Sequence, residues 1–520
     1  MKGKQLKTNS SAPNAGLWSK LPLKGLVGVL LMLFFVIYTA TKFPYTYITM
    51  EGDNFWVLTR DFWHQELAEL PAVTTWLADF LTQFYSSPHV AATIEAFLLG
   101  ITGVLAYLTL SRFKGDPSRK KGSPRGKWSA ALPWLALLPP VLLGFYCTFD
   151  LNFHLQCLFF FALLALQLFS SIRGKVIWSI VCVPLGFLLM RTPLLIMLLL
   201  IQTVLLALPR ENRKRAAWMG VPLLLLFLTP LIYSQQVAFI PFEERYTDWG
   251  TRFEPLTSKE SRYGEYVKML VCLAEEERWE ELLYKAHARR EAQRGNSIVL
   301  RYALLAESAL GTLPENLLEY PISDERLFLY QHEGGRVALP FNRLFYRNLG
   351  VYDEAFHHAQ EYGLLMHTGT CFSSIRQMTD YSIAEGEWEM AEKFLHILSK
   401  SSCHKDFVKD RQAKIPNPHS LIPNSSIPLR ADNFVGGYPL PVEMLKLERY
   451  YKDSPHRKNM IDYAICTYII RGDFRSFTIA INNIDIYKGR ELPKAYRVFQ
   501  EKYLSAASST SPVSNPLETR

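Results

Sequence analysis

Apolar residues are concentrated in the first half of this chain, where seven segments have the length and polarity of membrane-spanning helices. Crossing a bilayer takes about 17–25 mostly apolar residues in a helix. The segments lie near Gly25–Thr41, Val90–Leu110, Ser129–Phe149, Leu155–Ile172, Val176–Met190, Pro193–Leu208 and Ala217–Tyr233. They predict a transmembrane domain over residues 25–235. The fifth segment carries Pro184 and Gly186, so a tilted, broken or re-entrant conformation stays open for it.

Basic residues mark alternate boundaries of these segments. Residues 1–235 contain 21 Lys and Arg against 10 Asp and Glu, whereas the loop 42–89 has only Lys42 and Arg60 against six acids. Loops that stay in the cytoplasm retain Lys and Arg. The pattern therefore predicts a multi-pass inner (cytoplasmic) membrane protein with a cytoplasmic N-terminus over residues 1–24. The C-terminal half is then periplasmic or extracytoplasmic.

The outer loop 42–89 carries aromatic and aliphatic residues at helical spacing. One stripe is Phe55, Leu58, Phe62 and Leu67, and the other is Trp76, Phe80 and Phe84. Apolar stripes of this kind are typical of amphipathic helices. We expect two short helices lying in the lipid interface, with a plain amphipathic connector as the alternative.

Residues 259–504 change to a pattern of amphipathic helices separated by short turns. The turn at Gly350 is repeated at Gly386, 36 residues later, and again at Gly472. In each copy an aromatic residue follows the glycine by two positions. A period of about 34–36 residues resembles tetratricopeptide repeats. This predicts a helical-repeat domain, in which glycine ends a helix because it tolerates positive φ.

Three further segments complete the domain organisation. Residues 236–258 are predicted to be a tether, the Pro-rich stretch 401–442 a loop that interrupts the repeats, and 505–520 a disordered tail. The predicted fold class is all-α. It consists of a polytopic membrane helix bundle of about seven spans, followed by an extracytoplasmic, tetratricopeptide-like α-solenoid.

The predicted topology places seven polar residues at or close to the outer membrane face. They are Glu51, Asp53, Asp61, Glu95, Asp150, His154 and Arg191. A carboxylate in lipid is costly unless it faces a cavity or partner, which makes Glu95 a candidate. Arg191 could hold a phosphate and His154 could exchange a proton. The plainer alternatives are headgroup contacts for Glu95 and Arg191, and capping of a short loop by His154.

A first span followed by a long outer loop with an early acid resembles the polyisoprenyl-phosphate-sugar-using membrane glycosyltransferases. That resemblance implies a catalytic base in Glu51-Gly52-Asp53, with Asp53 preferred, and a phosphate contact by Arg191. Glu95, Asp150 and His154 would complete the substrate-binding set. The chain as a whole also resembles bacterial envelope proteins with a multi-span N-terminus and a helical-repeat C-terminus.

Local motifs for metal or cofactor chemistry are missing. The sequence has no HExxH, EF-hand loop, P-loop or GxSxG, and none of its seven cysteines is in a CxxC pair. We therefore predict no metal, no cofactor and no nucleic-acid partner. Four cysteines outside the apolar segments could form two disulfides in three pairings, although buried free thiols are favoured. They are Cys272, Cys371, Cys403 and Cys466.

Two functions remain from different classes. The favoured one is an integral membrane protein that presents the repeat domain to an envelope protein or glycan-assembly partner, because repeat arrays usually bind proteins. The alternative is a glycosyltransferase that uses a lipid-linked sugar at the outer face. A transporter ranks third, since inverted repeats of broken helices are not evident.

Overall fold

The computed structural model describes the chain apart from residues 1–22, 68–69, 112–133, 170–171, 208–216, 237–243, 291, 293, 323–327, 329, 332–334, 416–439, 449–451 and 510–520. The described residues form α-helices and short 3-10 turns, with no β-strand among them. The all-α prediction is confirmed. The chain divides into two compact units. Unit 1 comprises Met1–Lys42, Leu67–Ala78 and Pro88–Leu256, and unit 2 comprises Phe43–Glu66, Asp79–Ser87 and Thr257–Arg520.

Unit 1 contains the apolar helices. Its helices are Leu23–Lys42, Pro88–Ser111, Leu138–Tyr146, Leu151–Phe169, Ile172–Leu189, Thr192–Ala207 and Gly220–Gln236, and Ala72–Thr82 begins in it. Among the described residues, three stretches are long and apolar enough to cross a membrane: Gly25–Lys42, Pro88–Ser111 and Leu151–Leu168. Shorter apolar helices account for the fifth, sixth and seventh predicted segments. The third segment begins outside the described residues, and seven spans remain a prediction.

The fifth predicted segment is one helix, which continues through Pro184. It packs against the next helix at Gly186, where an added Cβ would lie only 2.4 Å from Leu195 Cδ1. Glycine permits this close approach of two apolar helices because it has no side chain. Leu195 is fully buried in the core of unit 1.

Unit 2 is built from successive helices joined by short turns. After Pro44–Gly52 and Arg60–Leu67, which follow the first apolar helix, it contains Lys259–Glu275, Trp279–Ala288, Ser297–Ala309, Ala338–Leu349, Tyr352–Leu364, Phe372–Glu385, Trp388–Ser399, Lys405–Gln412, Pro441–Leu447, Arg457–Arg471, Phe474–Asn483 and Lys494–Ser509. The turn glycines Gly350, Gly386 and Gly472 each end a helix in the left-handed conformation, as their positions predict. Each is followed by a helix that begins at the predicted aromatic residue.

Four predicted boundaries are corrected by these elements. Residues Phe43–Glu66 belong to unit 2, and Phe55, Trp56 and Phe62 are buried there. Leu58 of the same predicted stripe is 77% exposed, and the placement of these helices in the lipid interface stays a prediction. The end of the predicted tether is hydrogen-bonded within unit 1. The backbone N–H groups of Glu254 and Leu256 donate to the carbonyls of Tyr146 and Phe145. The helices Lys405–Gln412 and Lys494–Ser509 extend into the predicted loop and tail.

Candidate functional site

The first acidic pair, Glu51 and Asp53, is positioned by a carboxylate from the far side of the sequence. The helix Pro44–Gly52 begins with two backbone N–H groups, of Tyr45 and Thr46, that each donate to the Glu265 carboxylate at 2.8 Å. The Thr46 hydroxyl donates to the same group at 2.6 Å. A carboxylate at a helix N-terminus satisfies unpaired N–H groups and complements the helix dipole. Glu265 therefore fixes the helix that ends beside Asp53.

Asp53 accepts a hydrogen bond from the Tyr362 hydroxyl, with 2.5 Å between the two oxygens. The guanidinium of Arg343 lies over the Tyr362 ring, 5.0 Å from its centroid. Burial raises the pKa of Asp53, and the hydrogen bond from Tyr362 only partly offsets that rise. The predicted base is thus a part-buried acid whose carboxylate contacts the helix Tyr352–Leu364 of unit 2.

Arg343 belongs to a buried ion cluster that centres on Glu275. Arg343 is 2% exposed and is paired with Glu275, which also accepts from Arg376 at 2.7 Å and from Gln377 at 3.0 Å. Burial alone would raise the pKa of Glu275, but the charges of Arg343 and Arg376 outweigh it and hold the pKa below its ordinary value. Removing one partner from such a cluster strands a buried charge, which typically costs about 3–5 kcal/mol.

Glu51 lies two residues before Asp53 and faces His404. Its Oε1 is 3.7 Å from His404 Nδ1. The His404 ring stacks on Phe372 with 3.6 Å between centroids. Burial raises the pKa of Glu51 to about 7, and the charge of Arg376 offsets only part of the effect. Burial also disfavours the charged form of His404. It lowers the pKa of His404 to about 4, so this imidazole is neutral near pH 7.

The other four candidates, Arg191, Glu95, Asp150 and His154, lie in unit 1. Arg191 forms an ion pair with Asp248. Asp248 also accepts from the backbone N–H of Gly250 at 2.7 Å. Gly250 has φ of +67°, and an added Cβ would lie 2.3 Å from Arg191 Nε. The predicted phosphate partner is therefore paired with a carboxylate from the segment expected to be a tether.

Asp150 and His154 lie at the start of the helix Leu151–Phe169. Asp150 Oδ1 accepts from the backbone N–H of Phe153 at 2.8 Å, a typical N-terminal capping contact. His154 is 1% exposed, and Glu95 is fully buried on the helix Pro88–Ser111. The predicted set is therefore divided: Glu51 and Asp53 belong to unit 2, and the remaining four residues belong to unit 1.

A family model described as a family of unknown function (DUF6057) matches residues 19–514. The chain belongs to the DUF6057 family. The DUF6057 match covers the apolar helices of unit 1 and the helical unit 2 alike. No curated protein and no solved structure matches the chain.

Several residues around these sites carry no recognisable signal in the sequence. Glu265, Glu275 and Arg343 are charged residues on amphipathic helices, where a solvent-exposed position is the ordinary expectation. Their partners lie 68 to 220 residues away along the chain. In the DUF6057 chain only the three-dimensional structure brings these partners together.

Glu51→Gln tests the electrostatics of the acidic pair. The folded state raises the Glu51 pKa from about 4.5 to about 7, so the folded chain binds a proton there that the unfolded chain has released. Stability from this residue is present below about pH 4.5 and is lost as the pH rises to 7. The neutral variant should melt at a higher temperature than the parent at pH 8 and lose that advantage at pH 5. The gain is at most about 3 kcal/mol.

The measurement is the thermal midpoint of the full chain in detergent at both pH values. Glu501→Gln, which changes an exposed carboxylate, is the matched control. Equal midpoints for Glu51→Gln and the parent at pH 8 would show that burial does not disfavour the Glu51 carboxylate.

Proposed function

We propose that this DUF6057 protein is a membrane-anchored binding protein. Unit 1 would hold it in the inner membrane with the predicted multi-pass topology. Unit 2 would act as a tetratricopeptide-like α-solenoid outside the membrane and bind a protein of the cell envelope. Three membrane-length apolar helices in unit 1 and the succession of short-linked helices in unit 2 support this assignment.

An exposed apolar patch in unit 2 is the observation that carries the proposal. Leu364 is 64% exposed and Leu365 is 41% exposed at the end of the helix Tyr352–Leu364. Val337 is also 48% exposed, and its neighbour Arg336 donates from Nη2 to the Leu365 carbonyl at 3.2 Å. Grouped exposed apolar side chains with a polar neighbour are typical of protein-binding surfaces.

The contacts of the candidate catalytic residues also favour binding over catalysis. Asp53 accepts from Tyr362 within unit 2, and Arg191 is paired with Asp248 within unit 1. Both groups therefore have structural partners in the folded chain. A side chain that stabilises its own unit in this way needs no substrate to account for its position.

Leu364→Asp/Leu365→Asp tests the binding proposal. Charges on an exposed apolar surface disfavour association without disturbing a packed core. We expect recovery of the envelope partner to fall at least tenfold when the full-length variant is crosslinked and purified from membranes of the source organism. Tyr284→Asp is the matched control, because Tyr284 is 70% exposed in unit 2 outside the patch. If no protein depends on Leu364 and Leu365 for its recovery, the patch does not bind a partner.

A membrane glycosyltransferase with a polyisoprenyl-phosphate-linked sugar donor is the second candidate function. The raised pKa values of Asp53 and of Glu51, which is raised to about 7, support it. A carboxylate with a raised pKa is a better proton acceptor and suits the role of a general base. Asp53 would then remove the acceptor hydroxyl proton as the lipid phosphate leaves.

Asp53→Asn separates this candidate from the binding proposal. If the chain is this enzyme, the purified parent chain transfers sugar from envelope lipid extracts. The rate of transfer should fall about 100-fold or more in the variant, since general-base catalysis contributes about 10²–10⁴-fold. Under the binding proposal, the parent chain and the variant should give the same result in this transfer assay. Transfer retained in Asp53→Asn would remove Asp53 from any mechanism.

A further inference from the structure

Three metal-ligating side chains meet in unit 2 at a place that no motif of the sequence marks. His367 Nε2 is 2.9 Å from Asp79 Oδ2 and 3.6 Å from Glu66 Oε1. One ligand atom from each of the three residues lies within 4.8 Å of the other two. Four ligands at about 2.1 Å around a tetrahedral ion are about 3.4 Å apart. The observed separations bracket that value, so small carboxylate rotations suffice to bring all three groups onto one ion.

Glu66 supplies an independent observation at the same place. Its side chain is 1% exposed, and its Oε2 has no hydrogen-bond partner among the residues that the structure describes. A buried carboxylate oxygen without a donor is costly, because burial removes its water without replacing the lost hydrogen bonds. A bound cation would satisfy this oxygen directly or through its own water.

The three residues come from separate parts of the chain that hydrogen bonds hold in place. Glu66 is on the helix Arg60–Leu67 and Asp79 on Ala72–Thr82, whereas His367 lies in the turn after Tyr352–Leu364. Gln65 Nε2 donates to the Thr368 carbonyl at 2.7 Å, and Asn54 Nδ2 donates to the Asp79 carbonyl at 2.6 Å. These contacts hold together the backbone segments that carry the ligand side chains, independently of any ion. The site is therefore largely preformed.

We propose that Glu66, Asp79 and His367 bind a divalent first-row transition-metal ion of the Zn²⁺ type. Binding releases to solvent the proton that His367 Nε2 shares with the two carboxylates, and the two carboxylates with the imidazole then carry a charge of −2, which such an ion neutralises. Imidazole together with carboxylates suits these metals, whereas Ca²⁺ and Mg²⁺ prefer oxygen ligands alone. His367 is 36% exposed, so solvent reaches the site and water can fill the remaining coordination positions.

The binding test uses the full-length chain in detergent, purified without a polyhistidine tag, stripped with a chelator and titrated with Zn²⁺ alone. We expect one ion per chain by calorimetry and elemental analysis. Glu66→Gln, Asp79→Asn and His367→Ala should each weaken the affinity by more than about 100-fold, since even outer-shell partners are worth about 10–100-fold. His357→Ala is the matched control, because His357 is an exposed histidine that pairs with Glu361 at 3.2 Å and is not one of the three proposed ligands.

X-ray absorption by the Zn²⁺-loaded parent chain keeps the proposal testable if a variant fails to fold. The expected spectrum shows one imidazole and oxygen donors around the ion. Sulfur donors would overturn the proposal by placing the ion on cysteine, for which exposed Cys403 is the accessible thiol. Absence of Zn²⁺ binding in the parent, or unchanged affinity in all three ligand variants, would overturn it equally. None of these three outcomes tests the proposal that the Leu364 and Leu365 surface binds a partner protein.

Discussion

The carboxylate of Glu265 holds the segment after the first apolar helix within the C-terminal unit. It accepts the two backbone N–H groups at the start of the helix Pro44–Gly52 and the hydroxyl of Thr46. Three hydrogen bonds to one charged acceptor are individually stronger than neutral ones. The positions of Glu51 and Asp53 follow from this contact, because both residues lie at the other end of the same short helix. Unit 2 is therefore assembled from distant parts of the sequence.

Burial of charge is the second constraint on unit 2. Buried Arg343 is paired with part-buried Glu275, and Arg376 and Gln377 supply the remaining partners of the carboxylate. Such clusters gain little net stability because desolvation offsets the attraction, but each member is costly to leave unpaired. The arrangement therefore penalises any packing that separates the helix Lys259–Glu275 from the helices that carry these partners.

Local features were predictable from the sequence, whereas long-range partners were not. Glycine at positions 350, 386 and 472 ends a helix because of backbone sterics alone, and apolar length identifies candidate spans. The stripe that contains Phe62 does not show by itself whether its side chains pack in protein or lie in lipid, because both produce the same periodicity; in the structure Phe55 and Phe62 are buried. Glu66, Asp79 and His367 were missed because 288 residues separate the last two.

Attachment of residues Phe43–Glu66 to the C-terminal helices of unit 2 is the central claim, and a disulfide crosslink tests it most directly. A Cβ built at Gly52 lies 3.5 Å from Ser373 Cβ, within the usual range of about 3.5–4.5 Å for disulfides. Oxidation of the Gly52→Cys/Ser373→Cys chain in membranes should give a linked peptide pair by mass spectrometry, absent from either single variant. Failure of the double variant to crosslink under conditions that oxidise exposed thiols would contradict the placement of this segment in unit 2.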